Sequence, residues 1–315
     1  MNLIPTRGVS QNIPRKGTLQ QREAHAGLLF VMPWVLSLLL FTAYPVLASM
    51  YFSFTDYNIV QSPRWIGMEN YRTMLTDDPS FWKGVQNTGV YTLVSVPLGL
   101  VSSLMLAIIL NTQAKGISIY RTIFYLPTLV PPVAATIVFI LIFSPDRGLI
   151  NTILEHLGLP TPGWFTDPTW SKPTLIIMSL WNIGAQTLIF LAGLKEIPQS
   201  LLDAAAIDGA GAWQKFRYVK LPLLSRVILF NLVMDVIASF QVFSQALVIG
   251  GTTGQPVESM LMYMVHLYRN AFAYFKMGYA SALAFTLFLV ILIVTLIIFW
   301  SARAWVHYED EHLDW

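Results

Sequence analysis

The chain has 315 residues, of which 55% are hydrophobic and only 11% are charged. Because soluble domains carry about 25% charged residues, this composition excludes an ordinary soluble enzyme, and its hydrophobicity excludes a disordered chain. A net charge of +2 argues against nucleic-acid binding, and the absence of cysteine excludes disulfides, thiolate nucleophiles and cysteine-based zinc sites. The composition favours one polytopic membrane domain.

Residues 1–27 precede the first apolar stretch and are mostly polar, so we predict a cytoplasmic N-terminal tail there. The apolar core that follows is too long for a cleaved secretory signal, and no clear Ala-x-Ala cleavage site closes it. We therefore interpret residues 28–50 as a signal anchor that stays in the membrane.

Six stretches, this one included, are apolar over the roughly 20 residues that a helix needs to cross a bilayer. They are residues 28–50, 88–110, 122–143, 174–194, 227–249 and 281–301. Transmembrane strands would alternate in polarity, whereas Leu287–Trp300 is apolar at every position except Thr295. We predict an all-α membrane protein with one six-helix domain over residues 28–301 and an acidic C-terminal tail over residues 302–315.

The basic residues predict the orientation, because Lys and Arg are enriched in cytoplasmic loops. With the N-terminus inside, 12 of the 19 Lys and Arg residues fall in inner segments and 7 in outer segments. We therefore expect both termini in the cytoplasm.

The predicted outer loops are rich in tryptophan, a residue that is enriched at membrane–water interfaces. These loops are residues 51–87, 144–173 and 250–280, and their tryptophans include Trp65, Trp82, Trp164 and Trp170. Interfacial anchoring is the favoured interpretation, and docking of an external protein is the alternative.

Three prolines, Pro127, Pro131 and Pro132, interrupt the third predicted span. Proline frees backbone carbonyls and kinks a helix. We favour a fixed structural kink, with a hinge as the alternative.

The segment 195–226, between the fourth and fifth predicted spans, is too polar to cross the membrane. Ser200 is a candidate N-cap, and Asp203 stands three residues later, as in a capping box. Gly209 then permits the left-handed turn that ends a short helix. We predict a second helix over Ala212–Val219 that leads into the fifth span.

The same segment has the composition of a docking element. Its alanines keep the first helix thin, so that another protein can approach closely, and Asp203 and Asp208 offer carboxylates to cationic partners. Trp213 and Phe216 are placed to pack the turn. A capped interfacial helix that only joins two spans is the alternative.

The loop contains Asp203-Ala204-Ala205, two further residues, Asp208-Gly209-Ala210, and then Phe216 and Leu221-Pro222. In these residues it resembles the cytoplasmic loop of binding-protein-dependent ABC importer permeases. Asp203 departs from the family's usual Glu, which shortens the reach of the carboxylate by one methylene. Softer similarity to the carbohydrate-uptake branch runs along most of the chain, in segments 52–55, 67–71, 95–100, 240–251, 268–272 and 278–282.

The resemblance implies a type I ABC importer permease fold in a chain that is not itself an enzyme. In agreement, the sequence has no G-x-x-x-x-G-K-[ST] phosphate loop. The implied partners are a second permease subunit, two cytoplasmic ATPase subunits that bind ATP and Mg²⁺, and an extracellular solute-binding protein. The loop residues named above would couple ATP hydrolysis to alternating access, and this chain would hold no cofactor. The solute would be a sugar or a sugar-like compound: an oligosaccharide, a monosaccharide, a polyol or a glycerol phosphate ester.

The substrate path is expected among polar side chains that face the bundle interior. In the fifth predicted span, Asn231 and Asp235 lie four residues apart on one helix face, and a carboxylate near the membrane centre must face protein or water. The candidate residues are Asn182, Gln186, Asn231, Asp235, Ser239, Gln241 and Gln245. For each of them, a structural hydrogen bond between spans is the alternative to solute contact.

Metal chemistry has little support, because the histidines are scattered and no H-E-x-x-H stretch occurs. His307 and His312, with the acidic residues 309–311 between them, are better interpreted as a solvated acidic tail than as a metal site. An ion- or proton-coupled secondary transporter is the alternative function. That class often shows internal repeats, and none is visible in this sequence.

Overall fold

The structure is a computed structural model that describes residues 16–112 and 114–307. The predictions for residues 1–15 and 308–315, which include most of both tails and His312, lie outside the described residues. The chain divides into two compact units, with the boundary between Tyr51 and Phe52.

The described residues of the first unit are helical, and the last helix ends at Phe52, one residue past the unit boundary. An α-helix over Lys16–Leu38 continues through a π-helical turn, Leu39–Ala43, into a second α-helix, Tyr44–Phe52. The wider turn comes directly before Pro45, whose ring would clash with a carbonyl four residues earlier in a regular α-helix. The apolar part, Glu23–Phe52, is 30 residues long and is sufficient to cross a membrane.

The described residues of the second unit form helices, connecting loops and one antiparallel hairpin, in which Thr55–Asp56 pairs with Arg64–Trp65. Its α-helices are Glu69–Thr76, Pro79–Leu110, Ile117–Tyr125, Pro132–Ile142, Leu149–His156, Pro168–Ser179, Gly184–Glu196, Gln199–Ile207, Ala212–Lys215, Leu221–Leu223, Ser225–Phe240, Ser244–Gly250, Tyr263–Tyr268 and Met277–Ala302. Its 3-10 turns are Leu126–Leu129, Trp164–Thr166 and Leu180–Asn182, and its π-helical turns are Phe216–Lys220 and Arg269–Ala273. The all-α prediction is confirmed.

Length and composition identify four helices that can each cross a membrane unaided: Glu23–Phe52, Pro79–Leu110, Ser225–Gly250 and Met277–Ala302. Two bent pairs complete the set, Ile117–Leu129 with Pro132–Ile142 and Pro168–Asn182 with Gly184–Glu196. If each pair counts as one span, the described residues hold six, and we number them first to sixth in chain order.

The third span bends by 100°, far more than the kink that its prolines predicted. Val130 and Pro131 are extended, with ψ angles of 127° and 133°. A residue before proline is disfavoured in the helical region, and Val130 and Pro131 each precede a proline. The helix therefore stops after Leu129 and restarts at Pro132. The fourth span is also bent, by 50°, which the sequence did not predict.

The second span is a central element of the second unit. Ala107 of this span packs with Phe190 and Leu194 of the fourth and with Leu224, which precedes the fifth. Gly193 permits the close approach of the fourth and fifth spans, because a Cβ atom there would lie 2.7 Å from a methyl group of Val227. Small residues serve this purpose at many membrane helix interfaces.

The tryptophans of the predicted outer loops have different environments. Trp65 and Trp82 are exposed, as interfacial or docking residues would be. Trp164 is only 7% exposed, and its indole N–H donates to Asn151 Oδ1 at 2.6 Å. The surface interpretation is therefore wrong for Trp164, which belongs to a hydrophobic core that includes Phe143 and Leu175.

Candidate solute cavity and coupling loop

A cavity of about 530 Å³ lies among the second, fourth and fifth spans, with Pro132 of the third span at its edge. The structure brings all seven predicted substrate-path residues to its wall. They are Asn182, Gln186, Asn231, Asp235, Ser239, Gln241 and Gln245. Among the described lining residues, Asp235 is the only carboxylate and no side chain is basic. The cavity therefore offers amides, hydroxyls and one acid to a solute.

Asp235 accepts a hydrogen bond from the side-chain amide of Gln186, which joins the fifth span to the fourth. Gly99 of the second span faces this pair, and a Cβ atom there would lie 3.8 Å from Asp235 Oδ2. Asp235 therefore makes the hydrogen bond between spans that was the alternative to solute contact. A carboxylate accepts several hydrogen bonds, so the contact with Gln186 leaves Asp235 able to accept more.

Two of the seven predicted substrate-path residues make side-chain hydrogen bonds to backbone carbonyls of their own helix. The Asn231 amide donates to the Val227 carbonyl at 3.1 Å, and the Ser239 hydroxyl donates to the Val236 carbonyl at 2.9 Å. Their contribution to solute contact stays a prediction, as it does for the other five.

The fifth span is interrupted beside the cavity, which the sequence did not predict. The helix that begins at Ser225 ends at Phe240, and a new helix begins at Ser244. Irregular backbone at membrane depth is tolerated where it lines a cavity or is buried in protein. Gln241 stands at the break and Gln245 follows it, and both line the cavity.

Sequence reasoning missed several residues on the cavity wall. Tyr91 and Ser95 of the second span line it, together with Ser179 of the fourth. Tyr91 and Ser95 are four residues apart in a predicted span, the same signal that singled out Asn231 and Asp235. Trp181 borders an adjoining pocket of about 50 Å³ that shares Asn182 and Gln245 with the larger cavity.

The first helix of the loop over residues 195–226, which we call the coupling loop, begins differently from the prediction. Its N-cap is Pro198, and no side chain caps it, so the predicted capping box at Ser200 is wrong. Ser200 lies inside the first turn. The Asp203 carboxylate instead accepts a hydrogen bond from the Gln199 side chain at 2.9 Å, four residues away on the same helix face.

The end of this helix matches the prediction. Gly209 has a φ of +80°, in the left-handed region that favours glycine. The Ala210 N–H donates to the Ala205 carbonyl at 2.9 Å, and the Gly209 N–H donates to the Ala206 carbonyl at 3.1 Å. This is the Schellman arrangement, and it sets the angle at which the chain leaves the helix.

The second helix of the coupling loop does not end at Val219 as predicted. Helix Ala212–Lys215 passes through the π-helical turn Phe216–Lys220 and helix Leu221–Leu223 to the fifth span at Ser225. The π-helical turn comes shortly before Pro222, which has no N–H to donate. The coupling loop is therefore joined, through a short series of helical segments, to the span that carries Asp235.

The coupling loop is an exposed surface. No residue of Gln199–Ile207 is buried, and Ile207 and Trp213 are 87% and 71% exposed. Trp213 and Phe216 contact each other, with ring centroids 5.5 Å apart, and their predicted packing against the turn stays a prediction. Apolar side chains grouped at a surface mark a site of protein or membrane contact.

A buried polar cluster where the second and sixth spans begin was not predicted. Asp78 caps the second span by accepting from the Phe81 N–H at 3.1 Å. Its other oxygen accepts from the Tyr279 hydroxyl at 2.6 Å and lies 2.9 Å from His266 Nε2. Asp78 and His266 are far apart in sequence, so no local pattern pairs them.

Asp78 and His266 lie outside the spans, and both have pKa values below their ordinary values. Burial raises the pKa of Asp78, but the hydrogen bond from Tyr279 and the adjacent His266 outweigh it, so the pKa lies below its usual value. Burial lowers the pKa of His266, and the opposing effect of Asp78 is smaller. A neutral His266 fits the geometry, because Nε2 donates to Asp78 while Nδ1 accepts from Arg269 at 3.1 Å.

Residues 95–307 match a family model described as the binding-protein-dependent transport system inner membrane component. The chain belongs to this family. The resemblance carried by Asp203–Ala210 is therefore confirmed, and the chain is a permease, the transport component of an ABC importer that resides in a membrane.

Similarity to named permeases extends over nearly the whole permease. It is 42% identical over 299 residues to a Bacillus subtilis protein named as the probable ABC transporter permease protein YesP, which covers 94% of this chain and 96% of that protein. It is 32% identical to the lactose transport system permease protein LacF of Rhizobium radiobacter, over 88% of this chain and 94% of that protein. It is 31% identical to the trehalose/maltose transport system permease protein MalF of Thermococcus litoralis, over 89% and 94%.

A solved structure confirms the fold. The permease matches a chain of a bacterial ABC transporter involved in the import of the acidic polysaccharide alginate, with a TM-score of 0.80 and 23% identity over 91% of this chain and 99% of that chain. A second crystal structure of a bacterial alginate ABC transporter, in complex with a periplasmic protein that holds an alginate pentasaccharide, matches equally well. The predicted ABC importer permease fold is thus correct.

Proposed function

We propose that this permease conducts a sugar or sugar-like solute, an oligosaccharide, monosaccharide, polyol or glycerol phosphate ester, through the cavity that surrounds Asp235. The cavity chemistry carries the proposal. Sugars present many hydroxyl groups, which donate to carboxylates and both donate to and accept from amides. The wall supplies side-chain amides, hydroxyls and one acid, with no basic group among its described residues. The relatives named for lactose and for trehalose and maltose support the same class of solute.

The permease would work with separate ATPase subunits. Two cytoplasmic subunits would bind ATP and Mg²⁺ and receive the coupling loop, with Asp203, Asp208 and the exposed Ile207 and Trp213 at the contact. Closure of the ATPases would move the coupling loop, and the succession of helical segments from Ala212 to Phe240, with a turn at Leu224, would carry that movement to the cavity. The permease itself would bind no nucleotide.

Two further partners complete the proposal. A second permease subunit would form the other wall of the path, and an extracellular solute-binding protein would deliver the sugar. The alginate importer solved with its periplasmic protein supports a partner of this kind. Both termini of the permease would lie in the cytoplasm, as the distribution of basic residues predicts.

The decisive experiment combines purification and transport. We expect the tagged permease to co-purify with ATPase subunits, and proteoliposomes of the complex to import a sugar only with ATP and the binding protein. Asp203→Lys should abolish both co-purification and import, whereas Asp56→Lys, an exposed charge reversal in the outer hairpin, should leave co-purification unchanged. Import by the permease alone, driven by a proton gradient, would contradict the proposal and support the secondary transporter.

A ligand screen on the partner binding protein, read as a shift in its thermal unfolding, identifies the solute. We expect stabilisation by a sugar or polyol and none by amino acids or inorganic anions.

A further inference from the structure

A second cavity, of about 340 Å³, lies at the outer ends of the second and sixth spans. It shares no lining residue with the solute cavity. Its volume is within the range of small-molecule sites, about 300–1,000 Å³. We call it the outer cavity. Its wall includes Arg269, Tyr274 and Lys276, and it also includes the polar residues Asn70 and Thr73.

Arg269 is a buried cation on this wall with unused hydrogen-bonding capacity. Its side chain is only 10% exposed, and its Nε has no hydrogen-bond partner among the described residues. One terminal nitrogen donates to His266 Nδ1 at 3.1 Å, and the other is 4.0 Å from a carboxylate oxygen of Glu258, at the limit of an ion pair. A buried charge without close compensation is costly, so this guanidinium favours an incoming acceptor.

The carboxylates of the outer cavity are engaged elsewhere. Asp78 is bonded to Tyr279, His266 and the Phe81 N–H, and the imidazole of His266 stands between Asp78 and Arg269. Asp77 is exposed and accepts from the Thr76 hydroxyl at 2.9 Å. Among the described residues, neither Asp77 nor Asp78 lies within ion-pair distance of Arg269.

The remaining wall suits a compact polar ligand. The guanidinium carbon of Arg269 lies 5.8 Å from the centroid of the Tyr274 ring, within the distance of a cation–π contact. Lys276 supplies a second positive charge on the same wall. Planar guanidinium groups recognise carboxylates by matched pairs of hydrogen bonds.

We propose that the outer cavity binds a small carboxylate-bearing solute, of the uronic acid class, against the Arg269 guanidinium. The site is separate from the solute cavity and does not depend on the proposed transport function. An acidic side chain of a partner protein has the same chemistry, but a cavity of this size accommodates a whole monosaccharide unit beside the cation.

The test uses the full chain, purified in lipid nanodiscs, and two probes of nearly equal size. Galacturonate carries the carboxylate and galactose does not, and ionic strength is matched with sodium chloride. We expect galacturonate to raise the thermal unfolding midpoint in a saturable manner and galactose to have no effect. Arg269→Gln should weaken the apparent affinity about tenfold or more, because it removes a charged hydrogen bond. Arg64→Gln, which removes an exposed outer arginine paired with Asp56, is the matched control and should bind as wild type.

A second variant keeps the test decisive if Arg269→Gln fails to fold. Thr73 lines the same cavity, so Thr73→Glu places a tethered carboxylate near Arg269. We expect Thr73→Glu to raise the unfolding midpoint and to abolish the effect of galacturonate, whereas the neutral Thr73→Gln should do less of both. Equal stabilisation by galactose, no response of the wild type to galacturonate, or an unchanged affinity in Arg269→Gln would each overturn the proposal. Loss of binding-protein capture in Arg269→Gln without any galacturonate effect would overturn it in favour of a protein carboxylate.

Discussion

The coupling loop and the solute cavity differ in how their residues are brought together. The coupling loop is one consecutive segment, and its helix, glycine turn and second helix form from neighbours in sequence. The cavity takes its wall from several spans, and its central hydrogen bond joins Gln186 to Asp235 across 49 positions. The contrast teaches that the part of this permease proposed to touch partners is local, whereas the part proposed to touch solute is a product of helix packing.

The two regions are nonetheless connected along the chain. The helical segments at the end of the coupling loop lead into the fifth span, which carries Asp235. The following predictions separate defects in the coupling loop from defects in the cavity.

The largest effect is expected at the turn of the coupling loop. Gly209 has a φ of +80°, which proline cannot adopt, because its ring fixes φ near −65°. Gly209→Pro should destroy the Schellman turn and reduce ATP-driven uptake by more than about 100-fold, which corresponds to a cost of roughly 3 kcal/mol. Basal solute binding in the cavity should remain.

The control for this variant is Gly211→Ala. Gly211 has a φ of −69° and open space around its Cβ position, with only Gln214 at 3.6 Å. Uptake in proteoliposomes should stay close to wild type. Full uptake by Gly209→Pro would show that the turn plays no part in coupling.

The next effect is expected in the cavity, at Asp235. Asp235→Ala leaves the Gln186 amide without its partner and removes the acid from the wall. An unsatisfied buried polar group costs about 1–3 kcal/mol, so uptake at low solute concentration should fall about 10–100-fold. ATPase subunits should still co-purify, because the coupling loop is intact.

Asp235→Asn distinguishes the two roles of this residue. The asparagine keeps an acceptor oxygen for Gln186 but loses the charge. If Asp235 is only an interhelical tie, Asp235→Asn should transport like wild type. Measurement of uptake against solute concentration, with thermal unfolding in parallel, decides between solute contact and structural support.

A smaller, pH-dependent effect is expected at the polar cluster of Asp78 and His266. The pKa of His266 is lower in the folded chain than the ordinary value of 6.5, so unfolding takes up a proton below that pH. The stability contributed by neutral His266 is therefore fully present above pH 6.5 and is lost as pH falls towards the folded pKa. Asp78, whose pKa is lowered from 3.8, contributes in the same direction only at much lower pH.

The thermal unfolding midpoint should therefore fall between pH 8 and pH 5, and His266→Gln should flatten that decline. Asp78, Arg269, Glu258 and Tyr279 face the imidazole or lie near it and are kept in the variant. An equal slope in both proteins would assign the pH dependence to other groups.

The smallest effect is expected for Asp203→Glu, which introduces the residue that permeases of this type usually carry. Asp203 is exposed, and its hydrogen bond to Gln199 is local. Exposed charge contacts contribute about 0–1 kcal/mol, so Asp203→Glu should change ATP-driven uptake by no more than about fivefold. Asp203→Asn serves as the charge-removal control, and a larger loss with Glu than with Asn would show that side-chain length matters more than charge.

The sequence by itself determined the helical class, the six apolar stretches and the glycine turn of the coupling loop. Each of these follows from neighbouring residues, whether from the length of an apolar run or from the φ that Gly209 permits. Seven polar residues of the cavity were also identifiable one by one, because each is a costly exception within an apolar span, whereas Tyr91, Ser95 and Ser179 were missed.

Only the tertiary structure decided how these pieces meet. The 100° bend of the third span, the burial of Trp164, the convergence of seven polar residues on one cavity and the pairing of Asp78 with His266 all depend on contacts between distant segments. These contacts stabilise the protein only when the distant segments come together. The periodicity of residues along one helix therefore does not predict them. A local sequence pattern can also fail because of its neighbour. The first helix of the coupling loop has Pro198 as its N-cap in place of the predicted capping box, and the ring of proline fixes φ at that position.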